Sequence, residues 1–317
     1  MDALSDVLKS VRLEGALYLN AEFTAPWCLR GRYGRTSVRE RLAGAEHVVF
    51  FHFVTEGRCK VRLADSTEVV DVEAGDVVLF PRDDRHLLGS DLHLAPLDSE
   101  NLDERSSPAP DVIQVRHGGG GAVTRFVCSY LACSRSLVRP LLEALPRLVR
   151  IPIGDVQSDF IHSLLQEGVR ESWTSRAGSE SMRAKVAELL FTEALRRYME
   201  GLPPGGNGWL ASMRDPQVGR ALALLHGDPG KAWTVDALAN GVALSRSALA
   251  ERFTTLVGES PIRYLQRWRL ALAAQALRSS RDAVARIAER SGYESETAFS
   301  RAFRREFGVA PAGWRKP

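Results

Sequence analysis

IAERSGYESETAFSRAFRREFGVAP, residues 287–311, is the stretch whose reading decides the fold. It runs as a short helical segment, breaks at Ser291-Gly292, and restarts behind Ser295 with Phe299 and Phe303 at i, i+4. That is a helix, a tight turn and a second helix. The same order stands earlier as LANGVALSRSALAERFTTLVGESP, residues 238–261. Ser245, Leu249, Phe253, Gly258 and Pro261 recur 50 residues later as Ser295, Phe299, Phe303, Gly308 and Pro311. Ala239 recurs only 49 residues later, as Ala288, so the second copy has one extra turn residue.

Each repeated position has a physical reading. Ala239 and Ala288 are small where two helices approach closely. Gly241 and Gly292 are expected where the first helix ends and positive φ is useful. Ser245 and Ser295 are expected N-caps. With Leu249, Phe253, Phe299 and Phe303 facing inward, the phase exposes Arg246, Ser247, Ala250 and Glu251 in copy one. In copy two it exposes Glu296, Thr297, Ser300, Arg301 and Arg304. Between the copies, Ser260 is expected to cap and Pro261 to start a helix, PIRYLQRWRLALAAQALRSS, that ends near Ser280. Such a strut holds two reading heads apart, and heads about 34 Å apart can enter successive major grooves of one duplex. Arg263, Arg267, Arg269 and Arg281 are the candidates for phosphate contact.

Charge agrees with a polyanionic partner for this part of the chain. Residues 211–317 carry 17 basic and 10 acidic side chains, whereas the rest carries 25 and 29. The net charge of +3 hides this division.

The quoted segments are similar to the tandem helix-turn-helix of the AraC/XylS family of bacterial transcription regulators, over about 100 contiguous residues. The resemblance implies sequence-specific binding to double-stranded promoter DNA. One departure stands out: copy one offers Ser247, Ala250 and Glu251 where many relatives carry larger polar readers. That shifts weight to Arg246 and to DNA shape.

Outward from the repeat, GLPPGGNG at 201–208 can support neither a helix nor a central strand and reads as part of a linker, 201–210. Before it, 136–200 is helical. Leu137 to Leu145 and Asp159 to Trp173 are two segments, and Ser179 is expected to cap a third whose apolar stripe is Val186, Leu189, Leu190 and Leu195. Residues 1–135 read differently. After a short helix come β-rich stretches, EHVVFFHFVTEG, RCKVRL, TEVVDVEAGDVVLF and RHLLGSDLHL, separated by Gly and Asp turns. A polar loop at 95–121 holds one expected strand near Val112–Val115, and VTRFVCSYLAC returns at 123–133. The fold class is therefore α+β multidomain: a small N-terminal β-barrel, a helical segment, a linker and an all-α module at 211–317.

GDVVLFPRDDRH, residues 75–86, resembles the second motif of the cupin barrel, with Asp83 at a position usually held by Gly. FHFVTEGRCKV, residues 51–61, is similar to the end of the first motif. Counting back from Gly57, the usual metal-binding residues fall near Ala43, Ala45 and Phe50, none of them a standard ligand. His52 lies two residues past Phe50, on the same inward face of a strand, so His52 and His86 can converge. Three readings compete: hydrogen-bonded core residues, the lining of an effector pocket with Phe50, or a divalent-metal pair completed by His47 or His93.

The order of parts resembles the AraC-type branch with a cupin sensor. That resemblance implies a small-molecule or stress signal at the barrel, a homodimer formed through the helices after it, and activation of promoters through RNA polymerase. It implies no resident cofactor and no catalytic residues. Some such relatives sense oxidants through cysteines. Here Cys128 and Cys133 lie five apart on one strand and should face opposite sides, so inert burial is the expectation for the four cysteines. Two rivals remain: a cupin enzyme fused to a targeting domain, and a constitutive DNA binder whose barrel only dimerises. No run approaches the roughly 20 apolar residues of a membrane span. The N-terminus places Asp2 and Asp6 where a secretory leader places basic residues, so a cytoplasmic protein without membrane contact is expected.

Overall fold

The computed structural model describes residues 2–11, 14–31, 46–98, 104–105, 112–153, 159–172, 176–203 and 205–315. The chain divides into two compact units, one built on β-sheets and one helical. This is the expected α+β organisation.

Among the described residues the β unit holds twelve strands: β1 (Glu14–Thr24), β2 (Cys28–Gly31), β3 (His47–Glu56), β4 (Arg58–Leu63), β5 (Val70–Glu73), β6 (Asp76–Phe80), β7 (His86–Gly89), β8 (Leu97–Asp98), β9 (Glu104–Arg105), β10 (Ile113–Gly118), β11 (Val123–Cys133) and β12 (Val149–Pro152). They form a seven-stranded sheet in the order β12-β6-β3-β11-β1-β10-β9 and a five-stranded sheet in the order β5-β4-β7-β2-β8. Alternation turns Phe50, Val54, Phe126, Cys128 and Tyr130 of one sheet toward Leu29, Val61, Val72 and Leu88 of the other, in one shared core. Phe23, Trp27 and Phe126 stack at its centre, with centroids 4.5 to 5.9 Å apart. Strands β2, β8, β9 and β12 lie outside the β-rich stretches of the sequence and are defined by their pairing with β7, β2, β10 and β6. Asp83 takes φ 56°, a left-handed conformation that Asp tolerates, at the place where the cupin motif has Gly.

Two helices complete this unit, α3 (Asp159–Ser172) and α4 (Ser179–Glu200). The expected cap at Ser179 is corrected. Gly178, at φ 85°, is the N-cap, and the Ser179 hydroxyl instead donates to the Glu171 carboxylate at 2.5 Å. The expected stripe is corrected as well. Val186, Leu190, Phe191, Ala194 and Leu195 are buried, but Leu189 is 45% exposed, as is Met182 at 46%.

The helical unit contains α1 (Ala3–Val11), α2 (Arg135–Ala144), α5 (Trp209–Ser212), α6 (Pro216–Gly227), α7 (Val235–Gly241), α8 (Arg246–Val257), α9 (Pro261–Ser279), α10 (Val284–Arg290), α11 (Glu296–Phe307) and α12 (Pro311–Trp314). The segment 136–200 is thus shared: α2 packs among these helices, whereas α3 and α4 stay with the sheets. α1 lies against α6 and α2, and α2 lies against α5 and α9. The cause is apolar. Leu137, Val138, Leu141 and Leu142 of α2 and Ala3, Leu4 and Val7 of α1 are buried.

The α7-turn-α8 and α10-turn-α11 pairs are the two copies of the repeat. α9 serves both. Leu270, Ala273, Ala274 and Leu277 pack against Ile287, Ala288, Phe299 and Phe303 of copy two. Tyr264 packs edge-on to Phe253 of copy one. The Trp209 indole N–H donates to the Tyr264 hydroxyl at 2.7 Å, and that hydroxyl also bonds His226 Nε2 at 2.6 Å. Ser260 stands at the N-cap of α9 as expected, but its side chain makes no cap bond.

The two turns are built from different residues. Gly292 has φ +72°, as expected, but Gly241 does not have positive φ; it ends α7, where a Cβ would come 2.9 Å from Leu224 Cδ1. The left-handed position of copy one is Ala243, at φ 57°. Ala243 lies 49 residues before Gly292, so the offset of the leading alanines persists through this position, and the extra residue of copy two is Glu294. The Leu244 and Tyr293 amides close the two turns alike, onto the Ala239 and Ala288 carbonyls. A left-handed alanine costs about 1–2 kcal/mol, and glycine adds about 0.5–1 kcal/mol of unfolded-state entropy. Ala243→Gly should therefore leave stability unchanged or raise it by up to about 1.5 kcal/mol in urea unfolding. Gly292→Ala should lower it, since its Cβ would also meet the Arg269 guanidinium at 2.9 Å.

Candidate nucleic-acid interface

Both recognition helices begin behind a bonded cap. The Ser245 hydroxyl accepts from the Ala248 amide and the Ser295 hydroxyl from the Ala298 amide, each at 3.2 Å. These bonds satisfy N-terminal amides and fix the chain's entry angle. With Leu249 and Phe253 buried in α8, and Phe299 and Phe303 in α11, the outer faces are set. Arg246, Ser247 and Glu251 are exposed and Ala250 is half-buried on α8. Ser295, Glu296, Thr297, Arg301 and Arg304 are exposed and Ser300 is half-buried on and beside α11. The structure thus brings the thirteen sequence-derived candidates into two helical faces plus α9, though not all are equally available.

Arg246 sits 3.5 Å from Asp236 of α7, a loose exposed pair that a phosphate or base can displace. Arg301 has no ion-pair partner among the described residues. The α9 arginines separate into distinct roles. Arg263 is 77% exposed and only 3.7 Å from Glu259. Arg267 is 26% exposed and held at 3.3 Å by Glu259, whose own side chain is 11% exposed. Of these two expected phosphate contacts it is the more tightly engaged within the protein. Arg269 is likewise committed, donating to the carbonyls of Pro229 at 2.6 Å and Lys231 at 2.7 Å. Burial lowers its pKa. Arg281 is exposed.

Residues 2–200 match the cupin family and residues 238–317 match a helix-turn-helix domain. An AraC-like transcription regulator of Streptomyces lividans is 34% identical over 317 residues, covering 100% of this chain and 98% of its own. The chain belongs to the AraC-like transcription regulators. The HTH-type transcriptional regulator AlkR of Acinetobacter baylyi is 29% identical over 322 residues, covering 100% of this chain and 99% of its own. The RCS-specific HTH-type transcriptional activator RclR of Escherichia coli is 27% identical over 318 residues, covering 100% and 98%. This AraC-like regulator is a sequence-specific DNA-binding protein with a cupin domain ahead of its reading domain.

In the cupin domain, His52 and His86 do converge. Both are buried, and their Nε2 atoms are 2.9 Å apart. His86 Nδ1 lies 2.9 Å from the Asp84 carbonyl oxygen, and His52 Nδ1 lies 2.8 Å from Cys128 Sγ. Burial keeps both rings neutral: His86 is pushed down to about 4, and His52 is lowered by burial and then by His86. Neutrality fixes the tautomers. Asp84 offers only an acceptor, so His86 Nδ1 carries its proton and its Nε2 accepts from His52 Nε2–H. His52 Nδ1 then accepts from the Cys128 thiol. The result is a chain of donors running in one direction from Cys128 to the Asp84 carbonyl. The His86 ring stacks on Phe80 at 3.6 Å. Phe50, the third pocket candidate, is buried edge-on to Tyr130.

This arrangement bears on a metal. All four ring nitrogens have partners, and among the described residues no three His, Cys, Asp or Glu side chains are grouped to hold an ion. His47 Nε2 is engaged by the Pro81 carbonyl at 2.6 Å and His93 is exposed, so neither joins the pair. Ala43 and Ala45 lie outside the described residues. Cys128 is the partner that sequence reading missed: it stands opposite His52 only through the pairing of β11 with β3. Cys133 falls outside the core cluster that takes Cys128, as strand alternation requires. All four cysteines are buried, and burial pushes the Cys59 and Cys133 thiols up to about 12, which suppresses the nucleophilic thiolate.

Two expectations follow. Arg301→Ala should cost about 1–3 kcal/mol at one base position in a binding-site selection, whereas Arg263→Ala should weaken all sequences and flatten the salt dependence by about one phosphate. Arg267→Ala should leave that salt slope unchanged. The buried histidines also set a pH trend. Their folded pKa values lie below the unfolded value of about 6.5, so the unfolded chain binds more protons as pH falls. Stability is full above about pH 6.5 and declines toward pH 4, by at most about 1.4 kcal/mol per pH unit per histidine. His226, pushed to about 3 by burial, adds to the same trend. Urea midpoints that do not fall between pH 7.5 and 5 would contradict it.

Proposed function

We propose that this AraC-like regulator reads a bipartite promoter element, with α8 and α11 entering successive major grooves on one face of the duplex. The observation that carries the reading is two capped recognition helices mounted on a single 19-residue helix. At 1.5 Å per residue α9 spans about 28 Å, close to the roughly 34 Å turn of B-DNA. In this reading Ser245, Arg246, Ser247, Ala250 and Glu251 form the first contact face. Ser295, Glu296, Thr297, Ser300, Arg301 and Arg304 form the second, and Arg263 meets phosphate. Copy one, with small readers, leans on Arg246 and on groove shape.

The cupin domain acts in this reading as a sensor rather than a catalyst, without a bound metal. The support is chemical: His52 and His86 spend every ring nitrogen on protein partners, and an enzyme of this type needs open ligand positions. A small-molecule or stress signal that disturbs the Phe50, His52 and His86 neighbourhood would alter DNA binding or activation. Action as an activator through RNA polymerase agrees with the name of the relative RclR, an activator. A cytoplasmic setting fits promoter binding, and no helix among the described residues is long and apolar enough to cross a membrane. A homodimer through α4 is supported by Met182 and Leu189, both exposed and seven residues apart, hence on one face.

Transcription from the protein's own promoter with purified RNA polymerase tests the whole reading; activation that is absent, or identical for the fragment lacking residues 1–200, would defeat it. Sedimentation tests the dimer. Wild type should be dimeric at micromolar concentration and Leu189→Asp monomeric with an unchanged unfolding midpoint. A monomeric wild type would end the idea.

A further inference from the structure

α2 follows β11 after one residue, Ser134, yet it is packed inside the helical unit. It packs on α5 and α9, bonds to the end of copy two, and lines a cavity at the end of copy one. On one side Arg139 Nη1 lies 3.1 Å from Glu306 Oε1, in the last turn of α11. An acid at a helix C-terminus opposes the negative end of the dipole, so Glu306 needs a cation from outside its own helix. Arg139 is also oriented by Glu143, at 2.7 Å. On the other side Pro140, Glu143 and Ala144 share a cavity with Trp209, Glu259 and Arg267. Glu259 closes the end of copy one: it precedes the α9 cap and holds Arg263 and Arg267. Burial raises its pKa, while Arg267, Arg263 and then Arg139 lower it. Trp209 ties this side to the centre of α9 through Tyr264.

We propose that α2 is the brace that sets the separation and rotation of the two recognition helices, with Arg139, Glu306 and Glu259 as positioning residues for two-groove binding. None of the three needs to touch DNA. Arg139 restrains the far end of α11, Glu259 restrains the junction of α8 and α9, and the α2 backbone links them. Arg267, half-buried against this face, belongs to the brace and not to the phosphate contacts. Because α2 starts one residue beyond the strand that carries Cys128, a change in that strand has a short covalent route to the spacing of the reading heads. The proposal rests on the two-groove reading above.

The test uses the full-length chain and three duplexes: the selected site, the same site with one half-element scrambled, and random DNA. Wild type should bind the complete site more tightly than the half-scrambled one. Arg139→Glu and Glu306→Arg should each reduce that advantage by about three- to fivefold, the range of an ion pair of up to about 1 kcal/mol, without changing affinity for the half-scrambled site. The double variant Arg139→Glu/Glu306→Arg and the conservative Arg139→Lys should restore it to within about twofold. Glu306→Gln gives the same reading without charge reversal. A wild type with no advantage for the complete site overturns the two-groove reading, and the brace with it. A wild type with the advantage, and single variants that keep it in full or lose half-site binding equally, overturns the brace alone.

Discussion

The shared burial of α9 is the constraint on which the reading domain depends. A helix-turn-helix of two short helices has too little apolar surface to fold alone. α9 supplies the missing face to both copies at once, through Tyr264 against Phe253 of the first and through Leu270, Ala273, Ala274 and Leu277 toward the second. Its smaller residues, Ala273 and Ala274, let α10 and α11 approach closely, while Phe299, Phe303 and Trp314 fill the space around them. Because one rigid rod is common to both cores, the two recognition helices cannot be repositioned independently without disrupting packing. The polar fittings at its ends follow from this. Ser245 and Ser295 cap the helices that project from the rod, and Arg269 donates to the Pro229 and Lys231 carbonyls before α7, beside the glycine turn of copy two.

The cupin domain is organised by a different economy. Two sheets bury their inner faces in one aromatic core, and the buried groups His52, His86 and Cys128 bond in series, ending on the Asp84 carbonyl. A buried imidazole is tolerated when neutral and fully bonded. Each proton in this chain has one place to go, so any modification, protonation or ligand that captures one member must reorganise the others. In the sensor reading proposed above, that sensitivity is the chemical property a signal would act on.

Much of this was legible in the residues alone. The repeat offset, the serine caps and the i, i+4 apolar pairs place every element of the two helix-turn-helix copies, because those signals are local and period-specific. The convergence of His52 and His86 was legible too, since strand alternation and the cupin-like spacing confine both to one interior. The misplacements share a cause. Gly241 was assigned the positive φ that Ala243 takes, because a glycine near a helix end suggests a left-handed residue, while an alanine forced there by the turn carries no sign. Leu189 was counted in the buried stripe of α4, because a helix of this composition offers apolar residues on more than one face and only its packing partner chooses among them.

The sequence by itself therefore determined that this chain is a DNA-binding regulator and where its two helix-turn-helix copies lie: helix periods, caps and charge are properties of neighbours within a few residues. Tertiary structure decided which of the exposed arginines remain available. Arg263 and Arg301 stay open, whereas Arg267 and Arg269 are drawn into Glu259 and a row of carbonyls. It also decided that Cys128 completes the histidine chain and that α2 leaves the sheets to pack with the reader. These outcomes depend on side chains brought together across 8 to 167 positions, and their partners are set by packing and by the need to satisfy buried polar groups, neither of which is written in any local pattern.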